Sequence, residues 1–213
     1  MKKYSFFFIG IFLFATMAFA QDYRSATPER QRELIGNIET ASERMKTLRC
    51  DFVQKKSISI LADELISEGK LSFKKADKLS WEYTKPYEYR FTMNGDKIMI
   101  NSGTNRDIID VNSSKMFAEI SKIIIMGING SGIFDDSKFS SKFYVGQRDY
   151  QVVLLTKQRD LRQIFSSITL TFDKSDYSVN TVEIKETSGD TTFITMKNKQ
   201  IDIELDDEIF AIR

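Results

Sequence analysis

The chain changes its hydrophobic period once near its start, and the fold class follows from that change. Leu34, Ile35, Ile38, Ala41, Met45 and Leu48 recur at helical spacing and form one apolar stripe. Thr27-Pro28 ahead of them reads as a helix start, with the threonine as cap and the proline in the first turn. From Cys50 onward the period is two. Leu71 and Phe73 alternate with Lys70, Ser72 and Lys74, and Leu79, Trp81 and Tyr83 with Ser80, Glu82 and Thr84. Tyr89, Phe91 and Met93 alternate with Arg90 and Thr92, then Asn94-Gly95 supplies a strong hairpin signal. Ile98, Ile100 and Ile108 continue the meander. After one interruption Phe143 and Val145, Val152 to Leu155, and Ile168, Leu170 and Phe172 resume it. Val182 and Ile184, residues 192–196, and Ile201, Ile203 and Leu205 complete it, with turns at Asp173-Lys174-Ser175 and Ser188-Gly189-Asp190.

The interruption, Met116 to Gly127, is too long and too poorly alternating for an ordinary strand. Asn112-Ser113-Ser114 resembles a cap before it, and Asn129-Gly130-Ser131-Gly132 a flexible exit after it. The pattern predicts a short, very apolar helix on a mobile loop, with a buried strand as the alternative. No repeat or low-complexity linker divides the chain, so residues 21–213 form one domain, mainly β with some α. An antiparallel sheet of this length curls, with one wet face and one dry face that something must cover. Two helices are available. The isoleucines and methionine within 120–128 carry more apolar surface than an exposed loop tolerates. Unfilled volume beneath covering helices is a common place for apolar ligands; the commoner fate of such a pattern is a solid core.

The first twenty residues tell a separate story. Lys2 and Lys3, an apolar run from Phe6 to Phe14, and Ala18-Phe19-Ala20 form the pattern of a cleaved signal peptide. The run falls short of the roughly 20 residues that span a bilayer, which disfavours a retained anchor. Cleavage after residue 20 removes both lysines and takes the formal charge from +1 to −1. No cysteine follows the cut to be acylated, so the mature protein is expected free in an extracytoplasmic compartment.

Composition narrows the chemistry. Histidine is absent, which removes the commonest general base and zinc ligand together. Cys50 is alone, so neither an internal disulfide nor a thiolate metal site is expected. Lys+Arg number 31 against 30 Asp+Glu, which makes no case for nucleic acid. Asp135-Asp136 and Asp206-Asp207-Glu208 read as solvated carboxylates, with no histidine to complete a triad. Neither an enzyme nor a cofactor is expected.

One ordered series is more specific. Phe52-x-Gln54, Gly69-x-Leu71-x-Phe73, Leu79-x-Trp81-x-Tyr83-x-x-Pro86 and Asn94-Gly95-x-x-Ile98 together resemble the LolA family of outer-membrane lipoprotein carriers. Ile168-x-Leu170-x-Phe172-Asp173, Gly189-Asp190-Thr191-Thr192 and a closing Phe210 agree. The resemblance implies an unclosed antiparallel β-barrel, a half-barrel covered by an N-terminal helix and an inserted lid helix. Its apolar cavity would hold lipoprotein acyl chains in transit through the periplasm. The implied cavity residues are Phe52, Phe73, Leu79, Trp81, Tyr83, Phe91, Ile120, Ile123 and Ile124; Gln54 has no role. The family's latch arginine, bonded to the lid helix, is matched here by Lys75 in Lys74-Lys75-Ala76-Asp77, a donor without the planar fork. The implied partners are acylated lipoproteins, an inner-membrane lipoprotein-releasing transporter and an outer-membrane receptor, met by a monomer. A periplasmic lipid- or lipoprotein-sensing regulatory module is the alternative function.

Overall fold

The structure, a computed structural model, describes residues 23–61, 63–103, 105–113 and 115–213, with residues 115–117 and 120 as backbone alone. The expected signal peptide, residues 1–20, and Ser114 of the expected cap lie outside the described residues.

Helix α1 spans Pro28–Arg44 and starts as its sequence dictates. The Thr27 side chain accepts from the Arg30 backbone N–H at 3.3 Å, and Pro28 takes the first position, where no N–H is needed. Leu34 and Ile38 from its apolar stripe are fully buried. The stripe was expected to run on through Met45 and Leu48, but the helix stops at Arg44 and the chain is extended from Thr47. Asp202 explains the stop. Its carboxylate accepts from the Lys46 N–H at 2.7 Å and its own N–H donates to the Thr47 carbonyl at 2.9 Å. A long-range partner thus captures the backbone groups that another helical turn would have used.

Twelve strands follow the chain: β1 (Arg24–Ser25), β2 (Thr47–Ser57), β3 (Glu64–Lys74), β4 (Lys78–Lys85), β5 (Tyr89–Asn94), β6 (Lys97–Ser102), β7 (Asn105–Asp110), β8 (Phe139–Val145), β9 (Asp149–Thr156), β10 (Phe165–Asp173), β11 (Val179–Glu186) and β12 (Thr191–Ile201). They form a single antiparallel sheet in the order β1-β8-β9-β10-β11-β12-β2-β3-β4-β5-β6-β7. Two meanders are stitched together where β12 pairs with β2, and the sheet stays unclosed, with β1 and β7 as its edges. Both edges suit that position. β1 has two residues, and β7 carries Arg106, Asp107 and Asp110, which discourage further pairing.

The inserted segment is a helix, α2 (Lys115–Asn129), entered through a 3-10 turn at Val111–Ser113. It connects edge strand β7 to β8 near the opposite edge, so it crosses the open side of the sheet. Gly130, at φ +75°, ends it by donating its N–H to the Met126 carbonyl at 2.8 Å, a left-handed conformation that favours glycine. A short helix, α3 (Arg159–Arg162), links β9 to β10. The hairpin signalled by Asn94-Gly95 is present between β5 and β6. Asn94 pairs with Lys97 and the two-residue loop is Gly95-Asp96. This frees the Asn94 amide to donate to the Phe210 carbonyl at 3.1 Å.

That bond belongs to a second packing region on the convex face, which periodicity does not foretell. Ser72, Ser80, Thr92 and Met99 form one cross-strand row there, all buried. The C-terminal 3-10 turn Asp207–Phe210 lies against β4 and β5, with Phe210 fully buried. Lys74 and Lys78 both donate to the Asp207 carboxylate, at 2.7 and 3.1 Å.

Gly69 shows the tightest constraint in the sheet. A Cβ there would lie 1.9 Å from the Glu82 carbonyl oxygen and 2.7 Å from the Phe52 ring. The strand register slips between Glu68 and Gly69, which lets the ring lie over the glycine. We therefore expect Gly69→Ala to lower unfolding free energy by about 1–3 kcal/mol, since neither neighbour can yield cheaply. Gly36→Ala, in open space on α1, should instead raise stability by about 0.5–1 kcal/mol. Urea denaturation of both variants separates the two; equal behaviour would show that the Gly69 contact is relaxed in solution.

Candidate functional site

Strand registry arranges the concave face into rungs. The first runs Leu48, Phe73, Leu79, Met93, Ile98; all five are buried. The second runs Cys50, Leu71, Trp81, Phe91, Ile100, and only its first two members are buried. The third runs Phe52, Gly69, Tyr83, Tyr89, with both tyrosines half-buried. Cover thins away from the first rung, leaving an aromatic strip on β4 to β6 that the helices do not fully roof. No charged side chain stands in the three rungs.

The roof itself is uneven. Ile123, Met126 and Ile128 of α2 join the core, while Ile124 and Ile125 are half-buried. Gly127 brings the helix onto β11: a Cβ there would stand 3.7 Å from a Val182 methyl. Hollows flank the helix on both sides. One, of about 230 Å³, is lined by Ile123, Ile125, Met126 and Phe139 together with Asp77, Glu119 and Lys122. The other, of about 410 Å³, is lined by Met93, Val111, Ala118 and Ile125, again with Asp77 and Lys122. Lys122 and Ile125 of α2, with Asp77 from the β3–β4 turn, line both.

The strip has a defined internal geometry. Phe52 meets Trp81 and Tyr83 edge-on, with centroids 5.2 and 5.1 Å apart. Trp81 stacks on Tyr83 at 6.4 Å, and Tyr83 meets Tyr89 at 5.8 Å. The Tyr83 hydroxyl donates to Gln54 Oε1 at 2.9 Å, which supplies the role that sequence left open for Gln54. Burial pushes the Tyr83 phenol up to about 12, with Tyr89 adding to the shift and the Gln54 bond opposing it. It stays a neutral donor near pH 7. The Trp81 Nε1 is shut off from solvent and has no hydrogen-bond partner among the described residues.

Of the expected cavity residues, Phe52, Phe73, Leu79 and Ile123 are buried on the concave side, and Trp81, Tyr83, Phe91 and Ile124 are half-buried. Ile120 lies on α2, its side chain outside the described residues. Lys75 differs from expectation. Its Nζ donates at 2.9 Å to the Glu43 carbonyl at the end of α1, not to α2. The free carbonyls there and the negative end of the helix dipole account for the choice. The polar tie on α2 is one the sequence reading missed. Glu119 accepts from Lys122 at 3.0 Å and from Gln158, at the start of α3, at 3.3 Å. Burial pushes the Glu119 carboxyl up, but those bonds win and hold it below the usual carboxylate range. The acidic clusters have structural work: Asp135 accepts from Ser137 and pairs with Lys138, and Asp206 caps the C-terminal turn.

One rim of the sheet is also apolar on its outside. Ile60 is 88% exposed at the β2–β3 tip, beside exposed Leu61, Leu65 and Ile66, and Tyr87 is 81% exposed in the β4–β5 turn. Glu68 pairs with Lys85 in the sheet, so both turns stand at the same end.

An open antiparallel half-barrel with an apolar concave face and covering helices defines the fold class. Residues 43–213 match the model of the family described as outer membrane lipoprotein carrier protein LolA, and the chain belongs to that family. An outer-membrane lipoprotein carrier protein of Francisella philomiragia is 24% identical over 152 residues, covering 71% of this chain and 70% of its own length. An uncharacterized conserved protein from Thermus thermophilus shares the fold at 9% identity, with a TM-score of 0.52 over 86% of this chain and 94% of that one. A LolA superfamily protein from Nitrosomonas europaea gives a TM-score of 0.47 at 9% identity, over 85% of this chain and 97% of that one.

Cys50, in the second rung, provides a reporter. Burial pushes its thiol up to about 12, with the neighbouring Asp51 adding to the shift and Lys199 opposing it, so almost no thiolate exists at neutral pH. Iodoacetamide at pH 7.5 should leave the folded protein unlabelled and modify Cys50 only across the urea unfolding transition. Rapid labelling without denaturant would mean that the concave face opens to water on its own.

Proposed function

We propose that this protein is a periplasmic carrier that shelters lipoprotein acyl chains against the concave face and moves them from the inner to the outer membrane. The observation that carries the reading is the aromatic strip of the second and third rungs, apolar, uncharged and only half-buried. Membership of the lipoprotein carrier family supports it. Residues 1–20 act as the signal peptide that exports the chain.

The physical task explains the design. Each methylene hidden from water contributes about 0.8 kcal/mol, so a multiply acylated cargo cannot cross the aqueous space bare. Hydrophobic contact is non-directional and accepts chains of different length. Trp81, Tyr83, Phe91, Ile123 and Ile124 form the sheltering surface in this reading, with Phe52, Phe73 and Leu79 as the wall behind them. The helix α2 is the lid. Lifting it off Val182 joins the two hollows it lines, and the Glu119–Gln158 bond is the tie that closure restores. The exposed apolar rim around Ile60 and Tyr87 supports contact with membrane-bound donor and acceptor machinery. No step of this cycle needs a nucleophile, metal or nucleotide in the carrier.

Pairing Gly127→Cys with Val182→Cys tests the lid. The oxidised pair should bind a fluorescent acyl probe more than tenfold more weakly than wild type, and a reductant should restore binding. Cys50, buried and protonated, stays out of the exchange. Wild-type affinity in the oxidised state would remove α2 from the role. In cells, depletion should strand outer-membrane lipoproteins at the inner membrane, and native mass spectra of the periplasm-purified protein should carry acylated adducts. Normal lipoprotein sorting, with a stable membrane regulator co-purifying instead, would replace the carrier reading with a sensing one.

A further inference from the structure

A buried donor without an acceptor stands out in a wall otherwise free of polar demands. Tryptophan N–H groups almost always find a partner when buried, and leaving one unpaired costs about 1–3 kcal/mol. Trp81 is held firmly in this condition. Its ring is stacked on Tyr83 and abutted by Phe52, so the indole cannot turn its N–H elsewhere without breaking both contacts. The neighbouring polar pair does not help. The Gln54 carbonyl oxygen is taken by the Tyr83 hydroxyl, and the Gln54 amide NH2 has no partner among the described residues. Thr92, whose hydroxyl is also left unpartnered, belongs to the convex face.

We propose that Trp81 Nε1, once the side chains that cover it part, is a polar anchor for the carbonyl oxygen of an acyl ester or amide. This rests on the carrier reading above and specifies the cargo's chemistry. The three rungs carry no lysine or arginine, so the acceptor they suit is neutral; a phosphate or free carboxylate would enter without a counter-charge. A bare hydrocarbon would leave the indole N–H unpaired. A chain that bears a carbonyl at its head satisfies it while its methylenes lie along Phe91 and Ile100. The anchor fixes where along the wall a chain begins, which plain hydrophobic contact cannot do.

The test compares two probes of equal chain length, a dipalmitoyl glycerol ester and its dihexadecyl ether, in competition with a fluorescent acyl probe on the full mature chain. Wild type should prefer the ester by about fivefold, the worth of one net hydrogen bond. Trp81→Phe keeps the ring, removes the donor and should bind both probes with the wild-type ether affinity. Because Trp81 is the single tryptophan of the chain, its indole N–H gives one resonance in a 15N–1H spectrum of the unmutated protein. That resonance should move downfield with the ester and not with the ether, which keeps the test valid should the variant fold poorly. Equal affinities with identical indole shifts would overturn the anchor and leave the carrier reading intact. Failure of either probe to bind would overturn both.

Discussion

A sheet whose first and last strands never meet leaves its dry face for other elements to cover. Every functional feature of this molecule descends from that one missing pairing. In a closed barrel, side chains from opposite walls fill the interior. Here β7 and β1 end the sheet, and the gap between them is crossed by a helix that the backbone ladder does not hold. Strand ladders are cooperative and costly to open. A helix resting on side chains, with Gly127 against Val182 and Glu119 bonded to Gln158, can be displaced while the sheet stays intact. The fold therefore separates what must be rigid from what must move.

The rungs grade the concave face along the strands. Next to the β3–β4 turn, five side chains from five strands are buried together and secure the curvature. Two residues further along, burial falls off on β4, β5 and β6, although Trp81, Phe91 and Ile100 are as large as or larger than Leu79, Met93 and Ile98. Phe52 shows how the two zones join. It is buried because β3 presents Gly69 opposite it, and its ring then supports Trp81 and Tyr83 from one side. A glycine that looks like a strand defect is what lets the aromatic strip exist. The convex face is closed separately by Phe210 over a row of small side chains, so the C-terminal turn braces β4 and β5 from behind the strip.

Electrostatics sorts itself to the periphery. Lys74 and Lys78 secure the C-terminal turn, and Lys75 secures the end of α1. The inserted helix has its own acceptor in Glu119. The two covering helices thus have separate polar ties.

How much of this was legible in the residues follows from which interactions are local. The helix start at Thr27-Pro28, the alternation along β2 to β6 and the apolar helix in the middle are short-range patterns, and each appears where the pattern put it. Where long-range partners compete, the pattern misleads. Met45 and Leu48 continue a helical stripe, but Asp202, more than 150 residues away in sequence, takes their backbone into a strand. Asn94-Gly95 marks a hairpin, and its register was decided by strand pairing and by the Phe210 carbonyl. Lys75 carries no sign of whether it will meet α1 or α2. Alternation says which side chains share a face; how deeply each is buried is settled by long-range packing. The sequence by itself determined the faces, through the geometry of a pleated strand. Only the tertiary structure decided the cover, the ties and the unpaired indole, because those depend on residues brought together from distant parts of the chain.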